Sequence, residues 1–195
     1  MMVLVRHGET DANRAGLLLG RADPPLNELG LQQAEALAAA LRREPDPLVI
    51  TSPLARAQQT AARIAAASGA SLETDPRLIE LAYGDWDERR VADIPADAAA
   101  RWRADPTFAP PGGESLAELR ARVAPCEASL RELERDGTAI VVSHVSPIKA
   151  LILVALELGD GLAWRLRLDV ASISRVAPGP SGPVLVTFNE TGHLR

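Results

Sequence analysis

Two of the three histidines in this chain close an apolar run in the same way, as Val3-Leu4-Val5-Arg6-His7 and Ile140-Val141-Val142-Ser143-His144. A third run, Leu48-Val49-Ile50-Thr51, passes through Ser52-Pro53 to Arg56. If all three are parallel strands, their ends share the carboxyl edge of one sheet, where open α/β sheets bind ligands. His7, His144, Arg6 and Arg56 would then converge. Guanidinium forks suit phosphate bidentately, and a helix N-terminus adds N–H donors and a favourable dipole. Two arginines would repel a metal cation, and the chain has neither His-x-His nor a helical histidine pair at i, i+4. The cluster therefore reads as an anion site, with phosphate as the anion. A neutral imidazole nitrogen can attack phosphorus and carry the phosphoryl group, and nearby positive charge keeps it neutral by lowering its pKa. The departing oxygen then needs a proton. Glu80, Asp85, Asp87 and Glu88 lie together in one segment, and Glu80, at the end of an extended run, is the first choice as the acid.

The elements that must position these residues follow from patterning. Val3–Val5, Leu48–Thr51 and Ala139–Val142 read as buried strands. Asn27 caps a predicted helix running to about Arg43, where Pro45 and Pro47 break it. Ser52 as cap and Pro53 in the first turn open a helix to about Ala67, stopped by Gly69. Leu72 to Leu81 reads as extended. Ser115 and Glu118 form a capping box that opens a helix to about Arg135. A further helix begins near Pro147, and Arg165 to Phe188 holds two or three strands around a Gly-Pro-rich turn at 179–183. Buried strands alternating with helices predict a three-layer α/β/α sandwich around a mostly parallel sheet. With 195 residues, no internal repeat and no dividing linker, residues 1–195 read as a single domain.

Composition removes several function classes. Hydrophobic residues make up 47% and charged residues 24%, with a formal net charge of -5, so no attraction to nucleic acid or anionic membrane is expected. The single cysteine, Cys126, excludes an internal disulfide and reads as a small packed hydrophobe. It is no Cys-x5-Arg nucleophile, because Glu132 stands where the arginine would have to be. The most apolar stretch, Ile148 to Leu158, is about half of a membrane span and contains Lys149 and Glu157. No secretory signal pattern is seen, and the expected location is the cytoplasm.

The ordered blocks LVRHGET, TSPLARAQQTA, the Glu80 segment, PPGGES and VVSHVSPIKALI resemble the histidine phosphatase superfamily, the phosphoglycerate-mutase-like family, in its branch with small intracellular members. The resemblance covers nearly the whole chain. It implies that His7 is the nucleophile and forms a phosphohistidine. It places Arg6, Arg56 and His144 around the phosphate, and makes Glu80 the proton donor and then the base that activates water. It matches Asn13 to a phosphoryl contact and Gly8 to a tight turn behind the nucleophile. Glu9 is expected to orient the motif and His193 to be structural or exposed. No metal or organic cofactor is implied. The implied partners are a small phosphorylated substrate and inorganic phosphate.

The chain departs from the family pattern at Trp86-Asp87-Glu88, where Trp-Glu-Gly is usual, at Val145-Ser146, where Gly-Gly is usual, and at Leu19, often glutamine. These positions are expected to line the pocket and so to bear on the substrate. Tyr83, Trp86, Trp102 and Phe108 cluster in one segment; the first two read as core. Residues 82–114, with 95–111 at their centre, are a candidate lid.

The implied function is a phosphomonoesterase acting on a small metabolite. The motif SHVSPIKALI with the C-terminal FNETGHL is most similar to bacterial acid phosphatases and α-ribazole phosphatases of the family. Similar domains occur fused to ribonuclease H. The alternatives are a phosphoglycerate mutase, disfavoured because 80–112 is compact and its basic residues include no lysine, and a phosphate-binding module without turnover.

Overall fold

The computed structural model describes residues 1–133 and 137–195. Six strands, β1 (Met2–Arg6), β2 (Pro47–Thr51), β3 (Ser71–Thr74), β4 (Thr138–Ser143), β5 (Ile173–Ala177) and β6 (Val184–Glu190), form one sheet in the order β3-β2-β4-β1-β5-β6. The first four are mutually parallel; β5 runs antiparallel to β1, and β6 to β5. Among the described residues, six helices pack around it: α1 (Asp11–Arg14), α2 (Glu28–Leu41), α3 (Ala55–Ser68), α4 (Ala96–Ala104), α5 (Leu116–Leu133) and α6 (Val145–Ala155).

The central strands are apolar on both faces, which explains why they read as continuous runs and not as alternations. Along β1, Met2 and Leu4 join a core with Val123, Leu119 and Ile148 of α5 and α6. Val3 and Val5 point the other way, into a core with Leu37, Leu41 and Ile64 of α2 and α3. The expected sandwich of helices on both faces of a mostly parallel sheet is thus present.

The register delivers the functional ends together. Arg6 pairs with Ser143 across β1 and β4, so His7 and His144 follow side by side. On the other side of β4, Thr51 pairs with Val142, which brings Ser52 to the same edge.

Local corrections have local causes. Helix α3 starts at Ala55 behind Leu54, not at Ser52. The Ser52 hydroxyl instead accepts a bond from Leu54 N–H at 3.3 Å and meets His144. The run expected to be extended to Leu81 stops as β3 at Thr74, because Pro76 opens a single tight turn to Leu78. The helix expected near Pro147 begins two residues earlier, at Val145. The Ser115–Glu118 capping box is present, with Ser115 N–H on Glu118 at 2.8 Å and Glu118 N–H on Ser115 Oγ at 3.2 Å. The expected end of that helix, Arg135, lies outside the described residues.

Gly8 is required by a close approach and not by a turn. A Cβ there would stand 2.4 Å from the Gly30 carbonyl oxygen, and one on Gly30 would stand 2.1 Å from that of Glu9. Two glycines let the loop after β1 pass directly over the first turn of α2.

Candidate active site

His7 is the first residue past β1 and is buried. Its Nδ1 lies 2.7 Å from the Gly8 carbonyl oxygen. A carbonyl can only accept, so Nδ1 carries the proton and Nε2 presents its lone pair. The ring is held well below the usual histidine range, by burial first and then by the Arg56 and Arg6 charges, and is therefore neutral.

Arg56, in the first turn of α3, is fully buried. Its Nη1 and Nη2 donate to the carbonyls of Ala22 and Gly20, each at 2.8 Å, and its Nε donates to His7 Nε2 at 3.3 Å. The loop that supplies those carbonyls is itself pinned. The Asp87 carboxylate accepts the N–H groups of Gly20, Arg21 and Ala22 at 2.7, 3.0 and 3.1 Å. Asp87, expected to line the pocket, instead clamps residues 20–22, which in turn aim Arg56 at His7.

His144, in van der Waals reach of His7 with ring centroids 5.0 Å apart, is fully buried. Its Nε2 meets Ser52 Oγ at 2.7 Å, while its Nδ1 has no partner among the described residues. Burial, then the His7, Arg56 and Arg6 charges, lower its pKa well below the histidine range. Ser52 Oγ accepts from Leu54 N–H and can give its own proton to His144 Nε2. That assignment leaves Nδ1 as an N–H donor.

Arg6 ends β1. One Nη donates to the Leu168 carbonyl at 2.7 Å, and its buried Nε is unpartnered among the described residues. Burial lowers its pKa to about 10, which leaves it protonated at neutral pH.

Glu80 follows the tight turn after β3. Ser143 Oγ donates to the Leu78 carbonyl at 2.7 Å, and Arg122 donates to the carbonyls of Arg77 and Ile79, so the turn is fixed to β4 and α5. The Glu80 carboxyl accepts Leu81 N–H at 2.7 Å and Ser146 N–H at 3.2 Å. Burial raises its pKa above the usual carboxylate value against those two bonds and the Arg56 and Arg6 charges.

Arg6, His7, Asn13 and Glu80 line one cavity of about 380 Å³. Arg56 and His144 adjoin His7 at that end, Arg56 through its Nε and His144 ring to ring. Asn13 sits in α1 with its Oδ1 taken by Thr10, in a capping box. Glu9 holds the loop, accepting from Arg14 at 3.1 Å and Asn27 at 2.9 Å. His193 bonds the Ala171 carbonyl at 2.9 Å, away from the cavity. Cys126 is buried in the core, its thiol pushed up to about 12.

Of the departures from the family pattern, Leu19, Val145 and Ser146 do line the cavity. Sequence reasoning missed Ser146 as a donor to Glu80, Ser52 as the partner of His144, and Lys149 as a cavity residue. The only signal for Lys149 was that it is the sole lysine of the chain. Tyr83 and Trp86 are buried, as expected. Trp102 and the partly buried Phe108 both join the same core, and Trp102 also lines the cavity. Among the described residues, no group of three or more His, Cys, Asp or Glu side chains is placed to hold a metal ion, and no helix is long and apolar enough to cross a membrane.

The profile of the histidine phosphatase superfamily (branch 1) matches residues 2–191, and the chain belongs to that family. A bifunctional protein of Mycobacterium tuberculosis is 38% identical over 200 residues, covering 99% of this chain and 54% of that protein. The chain thus spans about half the length of the first curated relatives it matches. A "Probable phosphoglycerate mutase" of Yersinia pestis is 36% identical over 98% of this chain and 93% of its own. Among solved structures, the phosphoserine phosphatase of Entamoeba histolytica superposes with a TM-score of 0.91 at 28% identity, covering 100% of this chain and 98% of its own. The α-ribazole phosphatase of Shigella flexneri does so at 0.84 and 30%, covering 97% and 96%.

Proposed function

We propose that the chain is a metal-independent phosphomonoesterase that works through a phosphohistidine on His7. The observation that carries this reading is the His7 imidazole: buried, neutral, its proton held on Nδ1 by the Gly8 carbonyl, and its Nε2 lone pair aimed at a guanidinium. The substrate is a small phosphorylated compound and the second product is inorganic phosphate.

A phosphoryl group entering the cavity takes the Arg56 Nε–H from His7, which frees the Nε2 lone pair. Arg6, Arg56, Asn13 and the Nδ1–H of His144 hold its oxygens. Nε2 then bonds to phosphorus as the ester P–O bond breaks, and Glu80 gives its proton to the leaving oxygen. In the second half, the Glu80 carboxylate takes a proton from water, the new O–P bond forms and the P–Nε2 bond breaks. The raised pKa of Glu80 suits the first half, since an acid must still hold its proton when the ester arrives.

A mutase reading is favoured by the Yersinia relative's name. It would require the phosphoenzyme to re-donate to a second hydroxyl of phosphoglycerate, and positional transfer followed by phosphorus NMR would reveal that.

The test is hydrolysis of para-nitrophenyl phosphate in EDTA by the wild type and His7→Ala. Turnover by the wild type, with the variant at background, is expected. Loss of wild-type activity in EDTA, or a fully active variant, would overturn the reading.

A further inference from the structure

The phosphoryl chemistry occupies only one end of the cavity. The rest of it is walled by Leu17 and Leu18 after α1, Val91, Trp102 of α4, Leu153 of α6, and Trp164. Trp102 and Trp164 meet edge to face with centroids 4.5 Å apart, and Trp164 is 37% exposed at the mouth. Such a wall offers dispersion and ring–ring contact; Arg103 and Asp160 also line the cavity but are engaged, Arg103 with the Ala99 carbonyl and Asp160 with Arg120.

A second observation is independent of the apolar lining. Trp102 is 3% exposed, and its indole Nε1–H is buried with no acceptor among the described residues. That N–H has almost no accessible surface, so the donor open to a ligand is elsewhere on the wall. Lys149, also on the cavity wall, donates to the Ala163 carbonyl at 3.0 Å and has donors to spare.

We infer that this outer chamber selects phosphomonoesters whose leaving alcohol carries a planar, largely apolar ring system with a hydrogen-bond acceptor, in preference to small polar esters. The inference rests on the phosphomonoesterase reading of the same cavity. The ring enters with the tryptophans on one side and the leucines on the other, displacing water from apolar surface, while its acceptor meets the Lys149 ammonium. The ester oxygen stays at the His7–Glu80 end.

The experiment compares kcat/KM for four primary-alcohol phosphates, so that leaving-group activation stays similar: quinolinylmethyl, naphthylmethyl and ethyl phosphate, and phosphoserine. Quinolinylmethyl phosphate is expected to exceed ethyl phosphate and phosphoserine by about tenfold or more, the scale on which pocket burial discriminates substrates. It should also exceed naphthylmethyl phosphate, and Lys149→Met should erase that second preference. Trp164→Ala should shrink the quinolinylmethyl-to-ethyl ratio, a readout that cancels any loss shared by both esters. If ethyl phosphate or phosphoserine is cleaved as well as the aromatic esters, the selection fails while the phosphomonoesterase reading stands. Equal rates for the two aromatic esters would overturn the acceptor. If none of the four is cleaved and para-nitrophenyl phosphate is not cleaved either, the phosphomonoesterase reading falls and takes the chamber with it.

Discussion

The two ends of the cavity are built in opposite ways. At the inner end the reacting groups are charged or titratable and each is fixed by at least one bond: His7 by Gly8, Arg56 by two carbonyls, His144 by Ser52, Glu80 by two backbone amides. At the outer end the walls are mostly leucines and two tryptophans, with Arg103, Lys149 and Asp160 as the charged side chains. Attack on phosphorus needs atoms placed to within a fraction of an ångström, and only short bonds to a rigid backbone achieve that. Holding a leaving group needs area and shape, which side-chain packing supplies. Damage at the inner end should therefore depress the cleavage of every ester, whereas changes at the outer end should alter the ranking among esters.

The inner end can be broken at its acid. Glu80→Gln should slow poorly activated alkyl esters by about 10²- to 10⁴-fold, the usual contribution of general acid catalysis. Para-nitrophenyl phosphate, whose leaving group needs no proton, should lose far less. A parallel loss on both esters, measured as kcat/KM, would remove Glu80 from the proton donor's role.

The pH profile sharpens the same point. His7 has a lowered pKa and attacks when neutral, so activity rises as pH climbs through that value. Glu80 has a raised pKa and works protonated, so activity falls as pH climbs through its value. For alkyl esters the optimum should lie on the acid side of neutral, and Glu80→Gln should remove the alkaline limb. An optimum above about pH 8 would contradict the assignment.

A weaker break is Asp87→Ala, which frees three backbone amides and with them the carbonyls that aim Arg56. A loss on the order of tenfold to a hundredfold in kcat for all esters is expected, the scale of a small misplacement of a catalytic group, along with a melting temperature lower by a few degrees. If kcat holds while only the melting temperature drops, Asp87 is a stability residue and not a positioning one.

The smallest expected effect at this end is Ser52→Ala. Without the hydroxyl, His144 can place its proton on Nε2 and turn a bare lone pair toward the phosphate. The loss of one such bond corresponds to about tenfold in kcat/KM. Ser52→Thr, which keeps the hydroxyl, should recover most of it. Equal losses in both variants would attribute the effect to packing.

What the sequence revealed follows the same division. His7, Arg6 and His144 were legible because each terminates an apolar run, and the parallel register then does the rest. Glu80 was legible as one acid among four, although the expected extended approach to it is a proline-opened turn. The clamp on Arg56 was not legible, because its acceptors are the carbonyls of Gly20 and Ala22, and backbone atoms leave no mark on residue type. Ser52 was misread for a related reason: a serine before a proline resembles a helix cap, and only the fold shows that a histidine from the neighbouring strand end claims its hydroxyl. The outer chamber was hardest to see. Its leucines follow the same pattern as core leucines, and Trp102 serves both, packing against Trp86 at 5.4 Å while lining the cavity.

The most direct measurement is to trap the phosphoenzyme. The wild type would be mixed with substrate in EDTA, quenched in alkali, where phosphohistidine survives, and digested for mass spectrometry. One phosphoryl group on His7, acid-labile, formed within the time of a single turnover and missing from His7→Ala, is the expected result. Turnover with no phosphoryl group on His7, or with the group on another side chain, would contradict the mechanism proposed for this site.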